Sequence, residues 1–403
     1  MSEISDMIQR LCPDGVEYRK LVSVAKVQYG YPFDSKLFTD NPSFIPLIRI
    51  RDVKSGLAGT YYSGPILSDY IVCAGDILVG MDGEFNLGKW KDRDSLLNQR
   101  VCKITSLDSN IVLDGFLYHL LLPLFKKVEE SISGSTVKHL SAKVINALEI
   151  PVPPLEVQRK IVEVLDNFSE LTAELTAELT ARQKQYEYYR DNLLNFNRGG
   201  QVASDVKWMK MSEVFEIRNG YTPSKAKPEF WESGIIPWFR MEDIRQNGRI
   251  LSDSILHITS EGVKGKGLFK ANSFILATTA TIGEHALIIA DSLANQRFTN
   301  LKICKSLENE LTIKYVFYYL FVVDEWCKAN TNVSGFASVD MAKFKNLLFP
   351  IPPLSEQERI VSILDRFEAL TTDLTSGLPA EIKARQQQYE YYRDQLLTFK
   401  RAN

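Results

Sequence analysis

Fifteen residues in the middle of the chain, RQKQYEYYRDNLLNF at 182–196, reappear at 385–399 as RQQQYEYYRDQLLTF, with twelve of the fifteen positions identical. Each copy follows the same prelude, Pro151-Val152-Pro153-Pro154-Leu155 and Pro350-Ile351-Pro352-Pro353-Leu354. Each prelude runs into a matching stripe: Ile161, Val162, Leu165, Asp166 and Phe168 in the first copy, Ile360, Val361, Leu364, Asp365 and Phe367 in the second. A duplication this close restricts the chain to a twofold plan, in which whatever one copy does the other does too.

The spacing predicts a long helix over 155–196. Apolar residues fall at 161, 165, 168, 175, 179, 186, 189, 193 and 196, alternating steps of four and three with Thr172 and Arg182 filling the gaps. That is the heptad seam of a coiled coil. Such a helix extends about 60 Å at ~1.5 Å per residue and cannot hide its stripe alone. The second copy is the evident partner. Prolines ahead of each helix suit an extended approach and a helix start, and Ser355 with Glu358 matches a capping pattern. Inside the first helix, Thr172-Ala-Glu-Leu175 is repeated directly as Thr176-Ala-Glu-Leu179. Each unit is close to one turn, so its number sets the rod length in steps of about 6 Å. Glu174 and Glu178 belong to the solvated face. The second copy carries Ser376-Gly377-Leu378-Pro379 instead, and Gly377 and Pro379 should break or kink it.

At 403 residues the chain has room for two or three domains. No apolar run approaches the ~18 residues of a membrane span, and MSEISDMIQR is not a secretory signal. Five scattered cysteines without a C-x-x-C pair point to reduced thiols in a cytoplasm and away from structural zinc. Lys+Arg against Asp+Glu is 17 to 18 over residues 1–150, 6 to 8 over 151–199, 18 to 16 over 200–350 and 7 to 8 over 351–403. A nucleic-acid surface on this chain is therefore a local patch.

Residues 1–150 read as a mixed α/β block, with strands near Phe44–Ile50, Asp76–Val79 and Arg100–Ile104 and a helix over Leu113–Phe125. Residues 200–350 repeat the plan with little identity. Val16-Glu-Tyr18 answers Val206-Lys-Trp208, and Gly30-Tyr31 answers Gly220-Tyr221. Pro46, Arg49 and Asp52 answer Pro237, Arg240 and Asp243; Asn98-Gln99-Arg100 answers Asn295-Gln296-Arg297; Ser133-Gly134 answers Ser334-Gly335. The order is block (1–150), rod (151–199), block (200–350), rod (351–403). Near-identical rods do one thing twice, while diverged loops on a shared scaffold are where recognition resides.

Catalytic signatures are missing. Gly83-Glu-Phe-Asn-Leu-Gly88-Lys89 fits a phosphate-binding loop until Trp90, where a hydroxyl is needed for magnesium. Gly262-Val-Lys-Gly265-Lys-Gly267 has the wrong order for a dinucleotide fingerprint. His119, His139, His257 and His285 lack metal-ligand spacing, and His119 belongs to an apolar helical run, as a core or boundary residue. What remains is recognition surface. In the second block this comprises Tyr221, Thr222, Ser224, Lys225 and Lys227, then Arg240, Arg245 and Arg249, then Lys264, Lys266 and Lys270, with Thr279 among small hydroxyl residues and Gln296 and Arg297 beyond. The first block offers Tyr31, Arg49, Arg51, Lys54, Lys89, Lys91, Arg93, Gln99 and Arg100. Such side chains grip phosphates and read base edges. The Asn-Gln-Arg shared by both blocks could do either, or serve the scaffold. A self-sufficient DNA enzyme would need a cofactor or metal motif that is missing; a protein-binding adaptor remains the other alternative.

Two diverging blocks alternating with two matching helices, the TAEL repeat, the Gln-Tyr-Glu-Tyr-Tyr-Arg-Asp runs (185–191 and 388–394) and Gly220-Tyr-Thr-Pro-Ser224 together resemble the DNA-specificity subunits of type I restriction-modification systems, in their TAEL-repeat (type IC-like) subgroup. The first block has Gly30-Tyr31-Pro32 in place of the full Gly-x-Thr-Pro-Ser. The resemblance covers essentially the whole chain. It implies an α+β architecture: two α/β target recognition domains separated by two long conserved helices pairing as an antiparallel coiled coil, a pseudo-twofold internal repeat. It further implies that each domain reads one half of a bipartite, asymmetric double-stranded DNA site. The helices would set the spacing and dock modification subunits (S-adenosylmethionine-dependent adenine methyltransferases) and, through the complex, ATP- and Mg-dependent restriction subunits. On that reading Leu165, Phe168, Leu175, Leu179, Tyr186, Tyr189 and Leu193 of the first rod, with Leu364, Phe367, Tyr389, Tyr392 and Leu396 of the second, carry spacing and docking. The chain itself has no catalytic role, cofactor or metal, and acts in the cytoplasm.

Overall fold

A computed structural model of the chain describes residues 2–131, 138–196, 205–265, 267–332, 337–372 and 376–402. Lys266, Ser133-Gly134 and Ser334-Gly335 lie outside the described residues. The chain divides into two compact units, Met1–Thr176 with Glu381–Asn403, and Ala177–Ala380. Each unit therefore combines one α/β block with part of each helical stretch.

In unit 1 a four-stranded antiparallel sheet runs in the order Ala25–Tyr29, Val101–Ser106, Ile77–Gly80, Leu87–Lys89. A second, mixed sheet contains Ile45–Ile48 parallel to Ser95–Leu97. Two of the expected strands are thus present over Ile45–Ile48 and Ile77–Gly80, and the third over Val101–Ser106. Unit 2 repeats the scheme, with Phe215–Asn219, Phe298–Ile303, Ser273–Ala277 and His285–Ile288 in one sheet and Ile236–Phe239 parallel to Leu293–Ala294 in another. Leu87–Lys89 being a strand, with Trp90 buried beside it, removes the phosphate-loop reading of residues 83–89.

One domain helix covers each main sheet, Asp114–Ser131 in unit 1 and Ile313–Ala329 in unit 2. The first continues past Phe125, with Pro123 inside it. A helix at Ser2–Leu11 went unanticipated; its Ile4, Met7, Ile8 and Leu11 have helical spacing and pack on the unit 1 core.

The first long helix spans Leu155–Leu193, slightly shorter than the seam suggests. The second copy is broken as Gly377 and Pro379 require: one helix ends at Thr372 and the next begins at Leu378, with Pro379 at its second position. The helix after the second prelude begins at Leu354, so Ser355 lies inside its first turn and not at the cap that the Ser-x-x-Glu pattern assigns. The Pro353 carbonyl instead accepts from Glu356 and Gln357 N–H, at 2.9 and 3.1 Å.

The seam does two jobs. Val157, Ile161 and Leu165 are fully buried among Phe116, Leu117 and Leu121 of the domain helix, as Ile360 and Leu364 are among Val316, Phe317 and Leu320. The opening turns of each rod are domain core. Later positions meet the other helical copy. Phe168 stacks on Tyr392 in unit 1 (5.3 Å, 27°), and Tyr189 stacks on Phe367 in unit 2 (5.4 Å, 27°). In both units the early part of one copy meets the late part of the other, the sense of an antiparallel pair. Leu175, Leu179, Tyr186 and Leu193 are half-buried, Leu396 is buried, and Glu174 and Glu178 are exposed as read.

Two part-buried polar clusters fasten the rods. His119, with no exposed surface, faces Tyr389 Oη through Nδ1 (2.9 Å) and Asp166 through Nε2 (2.8 Å). At the matching place in unit 2, Tyr318 donates to Asp365 and, at 2.7 Å, to Glu368, while Lys314 pairs with Asp365 at 3.1 Å. Burial lowers the His119 pKa, aided by the Lys89 and Arg393 charges and opposed by the Asp166 hydrogen bond and charge. A histidine whose folded pKa is depressed leaves the unfolded chain binding the extra proton, so stability is intact above ~6.5 and falls as pH drops from there towards the depressed value. The urea midpoint of unit 1 should decline below about pH 6.5, and His119→Gln should flatten that part of the profile. An unchanged profile in the variant would assign the acid sensitivity elsewhere.

Candidate nucleic-acid interface

The residues common to both blocks assemble at one edge of each. In unit 1 the parallel strands Ile45–Ile48 and Ser95–Leu97 are in register at Leu47–Leu96 and Ile48–Leu97. The next pair in that register is Arg49 beside Asn98. Gly30-Tyr31 lies alongside, the Tyr31 N–H donating to the Leu97 carbonyl (2.9 Å) and the Gln99 N–H to the Tyr31 carbonyl (3.0 Å). In unit 2 the register Phe239–Ala294 leads to Arg240 beside Asn295, and the Tyr221 N–H donates to the Ala294 carbonyl (2.9 Å).

Space enforces this meeting of turns. A Cβ on Gly30 would lie 2.0 Å from the Asn98 carbonyl oxygen, and one on Gly220 would lie 2.3 Å from the carbonyl oxygens of both Ala294 and Asn295. The backbone carbonyls of Asn98 and Asn295 and the retained glycines are two sides of one contact, a scaffold role for the backbone that leaves the Gln and Arg side chains exposed. The Arg-x-x-Asp pairs have a similar cause. Asp52 and Asp243 are buried and accept from the backbone N–H of Arg49 (2.9 Å) and Arg240 (2.7 Å), fixing where each arginine leaves the strand. Burial pushes the Asp52 carboxyl up, against the pull of the Arg49 N–H and the Arg51 charge.

Side chains separate into those available and those already engaged. Arg49, Lys54, Lys91 and Gln99 are exposed in unit 1, as are Lys225, Arg245, Lys264, Gln296 and Arg297 in unit 2; the cations among them form no ion pair among the described residues. Tyr31 is exposed and packs edge-on against Phe33 and at a tilt against Tyr70. Arg51 donates to Thr60 (2.9 Å), and the buried Nε of Arg240 lies 3.8 Å from Glu242 and makes no hydrogen bond among the described residues. Lys227 lies over the Phe230 ring and 3.8 Å from Glu229. Thr222 donates to Gln296, Ser224 accepts the Trp231 indole N–H (3.1 Å), and half-buried Thr279 bridges to Ser338.

Others hold the scaffold. Lys89 is turned to Asp166 (3.5 Å) and the Tyr118 ring, Arg93 donates to the Pro42 and Phe44 carbonyls, and Lys270 pairs with Asp291. Arg249 is drawn to Asp324 and Phe321, and the Tyr221 hydroxyl locks the 262–264 loop. Each histidine is held by an aspartate, and no group of three or more metal-ligating side chains gathers among the described residues. No helix among them is long and apolar enough to cross a membrane.

Two residues that sequence reasoning passed over anchor rods to domains. Gln158, fully buried, donates to the Ile111 and Pro153 carbonyls (2.9 and 2.8 Å) and accepts from the Leu113 N–H (2.9 Å). Gln357 repeats this with the Glu310 and Pro352 carbonyls (2.7 and 2.9 Å) and the Thr312 N–H (2.9 Å). Their matching places four residues after the double proline were the available signal.

The family described as type I restriction modification DNA specificity domain matches residues 13–182 and again 203–384. The chain is 38% identical to the Escherichia coli "Type I restriction enzyme EcoR124I/EcoR124II specificity subunit" over 327 residues, 77% of each protein. It is 55% identical to the E. coli "Type I restriction enzyme EcoprrI specificity subunit" over 203 residues, which span 49% of this chain and about half (51%) of that relative. A solved structure titled for complex assembly and conformational transition of the type I R-M system shares the fold, with a TM-score of 0.63 at 17% identity, over 95% of this chain and 97% of that one. With both blocks matched by the family and a relative 38% identical over 77% of each chain, the chain belongs to the type I restriction-modification DNA specificity family, whose members are DNA-recognition subunits without catalytic activity of their own.

Proposed function

We propose that the two blocks, 1–150 and 200–350, are target recognition domains that each read one half of a split, asymmetric double-stranded DNA sequence. The helical regions 151–199 and 351–403 hold the halves at a fixed gap. The observation that carries this is one backbone edge built twice with different side chains around it, which suits two related but unequal half-sites. The exposed cations grip phosphates, and the amide, hydroxyl and arginine side chains between them face the bases. Partners are modification subunits that supply S-adenosylmethionine-dependent adenine methylation and, through them, ATP- and Mg-dependent restriction subunits, in the cytoplasm. The tandem TAEL units support membership of the TAEL-repeat (type IC-like) subgroup.

Methylation mapping in cells carrying the modification subunit, with and without this chain, is the test. Methyl-adenine at a split motif only when the chain is present supports the reading. An assembled complex that adds no methylation would favour a protein-binding adaptor. Adding or deleting one TAEL unit should change the gap and leave both half-sites unaltered, because it changes the rod by ~6 Å without touching either edge. Altered half-site bases with the same gap would refute the spacer role.

The Tyr-Glu-Tyr-Tyr runs (186–189 and 389–392) support a docking face. Within each Tyr-Glu-Tyr-Tyr run the first tyrosine is turned inward and the third stacks on the other helical copy, whereas Tyr188 and Tyr391 are 65% and 59% exposed. Repeated exposed aromatics are the side chains that anchor interfaces. Tyr188→Ala with Tyr391→Ala should weaken co-purification with the modification subunit by tenfold or more, for a cost of ~2 kcal/mol or above per anchor. Undiminished recovery would move docking to another face.

A further inference from the structure

We propose that Arg100 is a guanine reader in the first half-site, set in that role by Asp82 and His139, whereas its counterpart Arg297 is a phosphate contact. This rests on the edges being the DNA interface. Around both arginines the backbone is the same. The Met81 N–H donates to the Arg100 carbonyl (3.0 Å) and the Leu140 N–H to the Met81 carbonyl (2.7 Å). In unit 2 the Thr278 N–H donates to the Arg297 carbonyl and the Val339 N–H to the Thr278 carbonyl, both at 2.9 Å. Asp82 bridges to His139 as Thr279 bridges to Ser338. Even the next residue agrees, Gly83 at φ +76° and Ala280 at φ +68°. A non-glycine in the left-handed region shows that the turn is imposed by its surroundings.

On this shared frame two side chains differ. Asp82 Oδ2 lies 3.3 Å from Arg100 Nη1, and its Oδ1 is 2.6 Å from His139 Nδ1, so the carboxylate is held on one side and steadies the guanidinium on the other. Arg100 itself is 66% exposed, its remaining donors open to a ligand. In unit 2 Thr279 and Ser338 offer no carboxylate, and Arg297 forms no ion pair among the described residues. An arginine fork held in one orientation fits the paired O6 and N7 acceptors of guanine. A mobile one gains little from a fixed base edge and serves as a cation for phosphate. The position at which Asp82 of one edge is replaced by Thr279 in the other is thus a specificity determinant.

The experiment uses the full complex with its modification subunit, and the wild-type map first establishes the split motif; failure there sinks the function proposed above and not this assignment alone. Arg100→Lys keeps the charge and loses the fork. One guanine position in a single half-site should relax by tenfold or more, with the gap and other half-site unchanged, and Asp82→Asn should relax the same position. Arg297→Lys should leave the motif intact. Arg297→Gln should weaken binding to all sequences alike and reduce the salt slope by about one. An unaltered motif in Arg100→Lys, or relaxation at a position other than guanine, overturns the assignment. Should Arg100→Lys abolish methylation entirely, the Asp82→Asn map decides on the same criterion.

Discussion

Gly220→Ala should destabilise unit 2 by about 3 kcal/mol, at the upper end of overpacking costs, and remove recognition of one half-site. The added methyl group has no void to enter, since its position is 2.3 Å from two backbone carbonyl oxygens, Ala294 and Asn295. Neither can rotate away as a side chain could. Ala294 ends a strand whose partner positions Arg240, and the turn that follows closes on the Phe298 N–H. Relief must therefore come from separating the Gly-Tyr turn from Asn295-Gln296-Arg297. Urea unfolding followed by tryptophan fluorescence reads this directly, because the Trp238 indole donates to the Tyr221 carbonyl (3.0 Å) and packs edge-on against Trp231. Gly248→Ala is the control. Gly248 has φ +79° and ψ −165°, with nothing within 4 Å of an added Cβ, so its cost is backbone strain alone, ~1–3 kcal/mol, with no shift in emission. Gly220→Ala no less stable than wild type would mean that the two turns do not meet.

The second large effect is expected at the glutamine anchors. Gln158→Leu fills the space but leaves the Leu113 N–H and the Ile111 and Pro153 carbonyls without their partner. At ~1–3 kcal/mol for each buried group left unsatisfied, partly relieved by entering water, the total is about 3–5 kcal/mol. Gln357→Leu should act likewise through the Thr312 N–H and the Glu310 and Pro352 carbonyls. Hydrogen exchange should show lost protection at Leu113 in the first variant and at Thr312 in the second, each without change in the other unit. Equal protection in both variants would show that the anchors are dispensable.

The rods were legible because a period of 3.5 residues, a proline prelude and a near-verbatim repeat are local properties of the chain. The same holds for the break at Gly377 and Pro379, where backbone chemistry alone forbids a continuous helix. The three strands expected in the first block lie within a few residues of the observed Ile45–Ile48, Ile77–Gly80 and Val101–Ser106 for the same reason. Ser355 was misplaced as a cap because the helix starts earlier, at Leu354, where the Pro353 carbonyl already accepts the Glu356 and Gln357 N–H groups. The division of charged residues was least visible. Lys89 and Lys91 are alike in sequence, yet one lies against Asp166 and Tyr118 while the other is free in solvent.

What the sequence by itself determined is the twofold plan, the helical rods with their seam, and the absence of catalytic motifs, since each follows from residue spacing along the chain. What only the tertiary structure decided is which residues meet. It joined Gly30 to Asn98 and Gly220 to Ala294 and Asn295, and made the opening turns of the rods part of the domain cores. It also set Asp82 against Arg100, while Arg297 has no carboxylate partner among the described residues. Those pairings are between segments tens of residues apart, brought together by sheet register and packing. Periodicity reports which face a residue lies on, but not which distant residue lies opposite it.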